Sequence, residues 1–313
     1  MRYSDSFGRK SSKILLGTAY FGDGISKAEA YCMMDKFREM GGTHIDTARL
    51  YADGRAEEIV GQWLKDRAAD EMFISTKGGY YDMDAKEPPR LCESELRADL
   101  EKSLVALGVD CVEFYWLHRD DENTPAGAIV ETMNNLVKEG KIKRIGASNW
   151  SSQRIAEANA YAEEKGLMGF CASQIRFNPA VCLGERGGLV GMDDKEFDFY
   201  KKTNMPVAAY SSQAKGFFSK MAEQGENALS EKAKKRYLCD ENIRRLEIIK
   251  EISNKYNCSI AAAVCGALCS FDCPDVFPII GGSRVEQIVD SMQGADIVLA
   301  KEELRDLFKF DIK

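Results

Sequence analysis

The chain contains no G-x-G-x-x-G; the nearest stretch, GDGISK at 22–27, lacks the third glycine. That excludes a dinucleotide site of the doubly wound kind, which needs its glycines for a tight turn, close phosphate approach and helix packing. No C-x-x-C occurs, and only two histidines stand among 313 residues. Cys265, Cys269 and Cys273 fall four apart, but no histidine lies near them and Pro274 interrupts the pattern. No metal site is expected. The ten cysteines read as small hydrophobes of a reducing, cytoplasmic protein rather than a disulfide framework. No run of about 18 apolar residues could span a bilayer. The opening MRYSDSFGRKSSK carries charge with no apolar stretch after it, so no secretory signal is expected. Basic residues are not in excess: 43 Lys and Arg face 50 Asp and Glu, a formal charge of −7. That balance argues against nucleic acid as a partner.

Regular alternation is what the sequence does have. Eight short apolar runs fall at 13–19, 43–48, 72–77, 111–118, 143–149, 170–177, 206–212 and 276–282. Amphipathic stretches lie between them. SKAEAYCMMDKFREMG begins on a Ser N-cap and ends at Gly41, and SELRADLEKSLVALG ends at Gly108 with Leu96, Leu100, Leu104 and Leu107 on one face. PAGAIVETMNNLVKEGK opens on Pro125, and SSQRIAEANAYAEEKG closes at Gly166. Strands alternating with helices of this length predict βαβ units and a parallel sheet. Eight units predict a closed (β/α)8 TIM barrel over residues 1–313, an α/β fold in one domain. Residues 216–256 exceed the simple repeat and predict a long active-site loop plus an extra helix before strand eight. The tail AKEELRDLFKF predicts a final helix.

Barrel enzymes carry their chemistry at the C-terminal ends of the strands. Those ends hold Thr18, Asp46, Lys77, His118, Ser148 with Asn149, Gln174, and Tyr210 with Ser211; Tyr51 follows in the loop after Asp46. Taken singly, each has an ordinary explanation: Asp46 as a helix cap, Lys77 as a solvated strand end, His118 as a structural histidine, Tyr51 as packing. Four titratable groups at successive strand exits point instead to a site. His44, inside the second strand, reads as packing.

Several stretches carry a resemblance. IDTARLYADGRAEEIVGQWL is similar to the pattern D-T-A-x-x-Y-G-x-x-E-x-x-[IL]-G of the aldo-keto reductase family, with Ala52 where glycine is usual and one added residue before Glu57. ISTKGG, YWLHRDD and KEGKIKRIGASNW resemble further segments of that family. The resemblance runs from Gly17 and Thr18 to GGSRVEQ near 281–287. It implies a tetrad of Asp46, Tyr51, Lys77 and His118. In it Tyr51 donates a proton to the oxygen of a carbonyl receiving hydride. Lys77 lowers the phenol's pKa, Asp46 holds Lys77, and His118 orients the substrate.

The resemblance further implies a nicotinamide dinucleotide lying across the barrel top. Ser148, Asn149 and Gln174 would meet its carboxamide and Tyr210 its ring. The loop Ser211, Ser212, Gln213, Lys215 and Gly216 would wrap the pyrophosphate. Thr18 and Asp46 would complete the site, with Gly281, Ser283, Arg284 and Gln287 at the far end. Ser283 stands where the family usually has arginine and Ser291 where it has asparagine, yet Arg284 is adjacent. NADP(H) is expected over NAD(H). The substrate would be a small carbonyl compound, an aldehyde, ketone or sugar, between walls of Phe21, Tyr80, Tyr81, Trp116 and the loop beyond 216. Two other classes stay open: a non-catalytic NADP-binding regulatory protein on the same fold, and a Schiff-base aldolase using Lys77.

Overall fold

The computed structural model describes residues 1–184 and 187–312. Its centre is a closed barrel of eight parallel strands. They are preceded by a short antiparallel hairpin, β1 (Tyr3–Ser4) and β2 (Ser11–Ser12). The barrel strands are β3 (Leu15–Gly17), β4 (His44–Asp46), β5 (Phe73–Gly78), β6 (Val112–Leu117), β7 (Ile142–Ser148), β8 (Ser173–Arg176), β9 (Val207–Tyr210) and β10 (Val276–Ile280). They pair in sequence order, and β10 closes the ring against β3 with Ile279 opposite Leu15. Each of the eight apolar runs overlaps one strand, six of them enclosing it and β5 and β7 each reaching one residue further, so the (β/α)8 barrel expected from the alternation is the fold.

Helices follow the strands on the outside: α1 (Lys27–Glu39), α2 (Arg55–Arg67), α3 (Glu93–Leu107), α4 (Ala126–Lys138), α5 (Ser152–Lys165) and α6 (Asp194–Thr203). The Ser26 cap of α1 forms a capping box with Glu29. Four helices separate β9 from β10: α7 (Phe217–Gln224), α8 (Glu231–Tyr237), α9 (Asp240–Tyr256) and α10 (Ile260–Cys269). The polar stretch expected there as a loop is thus largely helical, held by the buried Phe217, Phe218 and Tyr237. The chain ends with α11 (Val285–Met292) and α12 (Lys301–Phe308).

Period two decides what the barrel contains. On β5, Phe73, Ser75 and Lys77 point inward while Thr76 turns outward and donates to Glu57 of α2 at 2.6 Å. On β6, Phe114 and Trp116 point inward below His118. Phe7, in the hairpin loop, closes the N-terminal mouth. Its ring lies 6.1 Å from Phe73, 5.7 Å from Phe114 and 4.3 Å from Phe277. Burying a side chain of this size contributes roughly 1.5–3 kcal/mol. The interior therefore runs from aromatic and dry at one end to titratable at the other.

Candidate active site

β4 places His44 and Asp46 on one face, two residues apart, and β5 places Lys77 beside them. Lys77 Nζ donates to Asp46 Oδ2 at 2.5 Å, to the Thr47 carbonyl at 2.8 Å and to Tyr51 Oη at 3.2 Å. All three ammonium hydrogens are engaged. Burial opposes the charge on Lys77, but Asp46 and Tyr51 override it and hold the ammonium above its ordinary range. A Schiff base needs a neutral amine, so this lysine is poorly disposed to act as an aldolase nucleophile.

Tyr51 reaches Lys77 because the chain turns sharply after it. Ala52 and Asp53 both take left-handed dihedrals, with φ of 51° and 56°. The Tyr51 oxygen accepts from Lys77, which leaves its own proton free to be donated. Burial pushes the phenol up, while Lys77 pulls it down and Asp46 opposes that pull. The outcome is a phenol above its ordinary value, not below it as the residue pattern suggested, because the buried setting outweighs the lysine. The His118 ring lies 6.0 Å from that of Tyr51 and 5.3 Å from that of Tyr80. Burial, aided by the charges of Lys77 and Arg119, keeps His118 neutral, well below the usual imidazole range. Its Nδ1 is buried without a partner.

Asp46 is held from behind. Oδ1 accepts from Ser75 Oγ at 3.1 Å and from Gln174 Nε2 at 3.0 Å. Since Ser75 donates its one proton to Asp46, it accepts from His44 Nε2 at 2.9 Å, which fixes the His44 tautomer. The His44 ring stacks on Phe73 at 3.9 Å. The expected packing role is met, but this histidine also carries a hydrogen bond toward the tetrad. That link was hidden in the sequence because the connecting Ser75 has no pattern of its own.

The polar rim is built from strand ends. Asn149, at φ 59°, donates to Ser148 Oγ and to the His118 carbonyl, both at 3.2 Å. Its Oδ1 accepts from Tyr210 Oη at 2.7 Å. Thr18 Oγ1 donates to the Asp46 carbonyl at 3.2 Å. Ser211, Ala214, Lys215 and Gly216 all have positive φ just before α7, turning a short run of backbone into a concavity suited to an anion. The side chains of Ser212 and Gln213 face inward instead: Ser212 Oγ donates to the Ile279 carbonyl at 2.7 Å, and Gln213 Nε2 to Ser291 Oγ at 2.9 Å. Ser291 is buried in that contact. Gly281, Ser283, Arg284 and Gln287 are exposed at the start of α11, where Gln287 Oε1 accepts from the Ser283 amide at 2.8 Å.

Three expected wall residues sit elsewhere. Trp116 is in the barrel interior, its ring 4.5 Å from Phe114 and one layer beneath His118. Phe21 is buried in the core between barrel and helices. Tyr81 is buried and donates to the Asp120 carbonyl. Tyr80 remains at the site. Among the described residues no group of His, Cys, Asp and Glu could hold a metal ion, and Cys265 and Cys269 are buried on α10. Among the described residues no helix is long and apolar enough to cross a membrane.

Known proteins are similar over nearly the whole chain. Norsolorinic acid reductase A of Aspergillus parasiticus is 29% identical over 97% of this chain and 79% of its own. The uncharacterized oxidoreductase YrpG of Bacillus subtilis is 28% identical, covering 97% and 94%. A probable voltage-gated potassium channel subunit beta of Oryza sativa is 28% identical, covering 89% and 85%. The thermostable aldo-keto reductase Tm1743, solved with the inhibitor epalrestat, superposes with a TM-score of 0.74 at 23% identity, over 99% of each chain, and so shares the fold. Residues 13–312 match the description of one family, and the chain belongs to it: the aldo/keto reductases.

Proposed function

We propose that this chain is an NADP(H)-dependent reductase that converts a small carbonyl compound to its alcohol, with Tyr51 as proton donor. One observation carries the reading: Tyr51 Oη accepts from a charged lysine and keeps its own proton free, beside a neutral histidine. The family and the reductases among its relatives support oxidoreductase chemistry. A nicotinamide bound against Tyr210, Ser148, Asn149 and Gln174 would supply the hydride. As negative charge grows on the carbonyl oxygen, His118 donates a hydrogen bond to it and Tyr51 donates the proton. Lys77, 3.2 Å from the phenol oxygen, stabilises the phenolate left behind. Asp46, braced by Ser75 and Gln174, fixes the lysine.

The residues present suit a dinucleotide. The left-handed run at 211–216 offers backbone amides for a pyrophosphate. Arg284, exposed beside Ser283, offers a cation for a 2′-phosphate, which favours NADP(H) over NAD(H). The channel-subunit relative suggests a second reading, cofactor binding without turnover. A panel of aldehydes, ketones and sugars, followed by loss of NADPH absorbance, separates the two. Carbonyl-dependent oxidation with alcohol as product is expected. Tight cofactor binding with no carbonyl-dependent oxidation would favour the regulatory reading.

A further inference from the structure

Three arginines converge on the same side of the barrel mouth and form no ion pair with a carboxylate among the described residues. Arg176 closes β8 on the face that carries Gln174, opposite Tyr210 of β9. Its guanidinium packs over Gly191, where an added Cβ would lie 2.7 Å from Nη2, and its Nη1 is buried without a partner. Arg119 follows His118. Its guanidinium sits over the Tyr80 ring at 5.3 Å, and that ring packs against His118. Nη1 of Arg119 donates to the Gly188 carbonyl at 2.6 Å, while Nε is buried without a partner. Arg236, next to the end of α8, donates to Cys182 Sγ at 3.2 Å. The fields of all three reach the Tyr210 phenol. The nearby carboxylate Asp120 is already held by Arg154, at 3.2 Å. In a chain of net charge −7, these three half-buried guanidinium groups have no carboxylate partner among the described residues, and two of them bury a nitrogen that lacks an acceptor, a condition folded proteins normally avoid.

We infer that Arg119 and Arg176, with Arg236 behind them, form a subsite for a carboxylate carried by the carbonyl substrate. The inference rests on the reductase reading and names its substrate class: a keto or aldehyde acid whose carbonyl meets Tyr51 and His118 while its carboxylate meets the arginines. A planar carboxylate matches the fork of N–H donors on a half-buried guanidinium. Tyr210 fixes the geometry. Its hydroxyl donates to Asn149 and lies 3.5 Å from the Val190 carbonyl, so the cofactor rim and the segment bearing Gly188 and Gly191 share one anchor. The cofactor's pyrophosphate is a different anion, assigned to the 211–216 turn after β9.

The test compares 4-carboxybenzaldehyde with its methyl ester as substrates, in the wild type and in Arg176→Gln, Arg119→Gln and Arg176→Lys. The wild type should favour the acid in kcat/KM. Each Gln variant should lower the acid-to-ester ratio by roughly tenfold or more, the loss of one charge-assisted hydrogen bond. Arg176→Lys, which keeps the charge, should retain part of the preference. A wild type that favours the ester, or a ratio unmoved in both Gln variants, would overturn the subsite. Turnover of the ester reports separately on the reductase reading. If neither aldehyde turns over, calorimetric binding of terephthalate to the NADPH complex decides: weaker binding in Arg176→Gln supports the subsite, and equal or absent binding refutes it.

Discussion

The buried pair of Lys77 and Asp46 does not stabilise the fold simply by being buried. Removing two charges from water costs about as much as their attraction returns. Its presence at the centre of a polar cluster is better understood as preparation of Tyr51. His44 makes the same point with a measurable consequence. Burial, reinforced by Lys77 and Arg9, pushes its pKa down to about 3. In the unfolded chain a histidine takes up a proton below about 6.5. The unfolded state therefore binds more protons between those values, and stability falls as pH drops from about 6.5 toward 3. His44→Gln retains an N–H for Ser75 and removes this titration. The acid limb of its stability curve should be shallower by up to about 1.4 kcal/mol per pH unit between roughly pH 6 and 4. Urea midpoints measured across that range would show it, and parallel curves for the two proteins would refute the neutral, buried histidine.

At the scale of elements, strand parity explains why some of the site could be read from sequence and some could not. Lys77 and His118 end their apolar runs and Asp46 lies two residues from the end of its own, so their place at the barrel top followed from the strands alone. Trp116 was misplaced because it shares the inward face with His118 but lies one layer lower, where Phe114 and Phe7 cover it. The two-residue strands of the hairpin are too short to show a period. α10, IAAAVCGALC, is apolar on every side and gives no amphipathic stripe. α7 and α8 hide in a polar stretch because they bury few residues. The start of α11 carries the cofactor prediction. Arg284 is exposed there, next to a helix N-terminus that favours anions. Arg284→Ala should weaken NADPH binding by about tenfold to over a hundredfold and leave NADH nearly unchanged. Fluorescence titration with both cofactors would test this; equal losses would mean that Arg284 does not contact the 2′-phosphate.

Across the whole molecule, polarity rises along the barrel axis. The Phe7 end is sealed by aromatic rings, His44 and Ser75 bridge the middle, and Lys77, Tyr51 and His118 meet the open mouth. Arginines without an ion-pair partner among the described residues stand at that mouth although the protein is acidic overall, a contrast that composition averages away and the closed barrel reveals. This gradient fits an enzyme that lets one face of a substrate reach a neutral tyrosine held by a buried, charged lysine. The most direct measurement is steady-state reduction of a carbonyl substrate by NADPH with Tyr51→Phe, alongside its cofactor affinity. The account predicts a kcat lower by at least ~10²-fold, the range for loss of a general acid, with cofactor affinity unchanged because the ring still fills its place. A Tyr51→Phe protein that kept most of its kcat would contradict it.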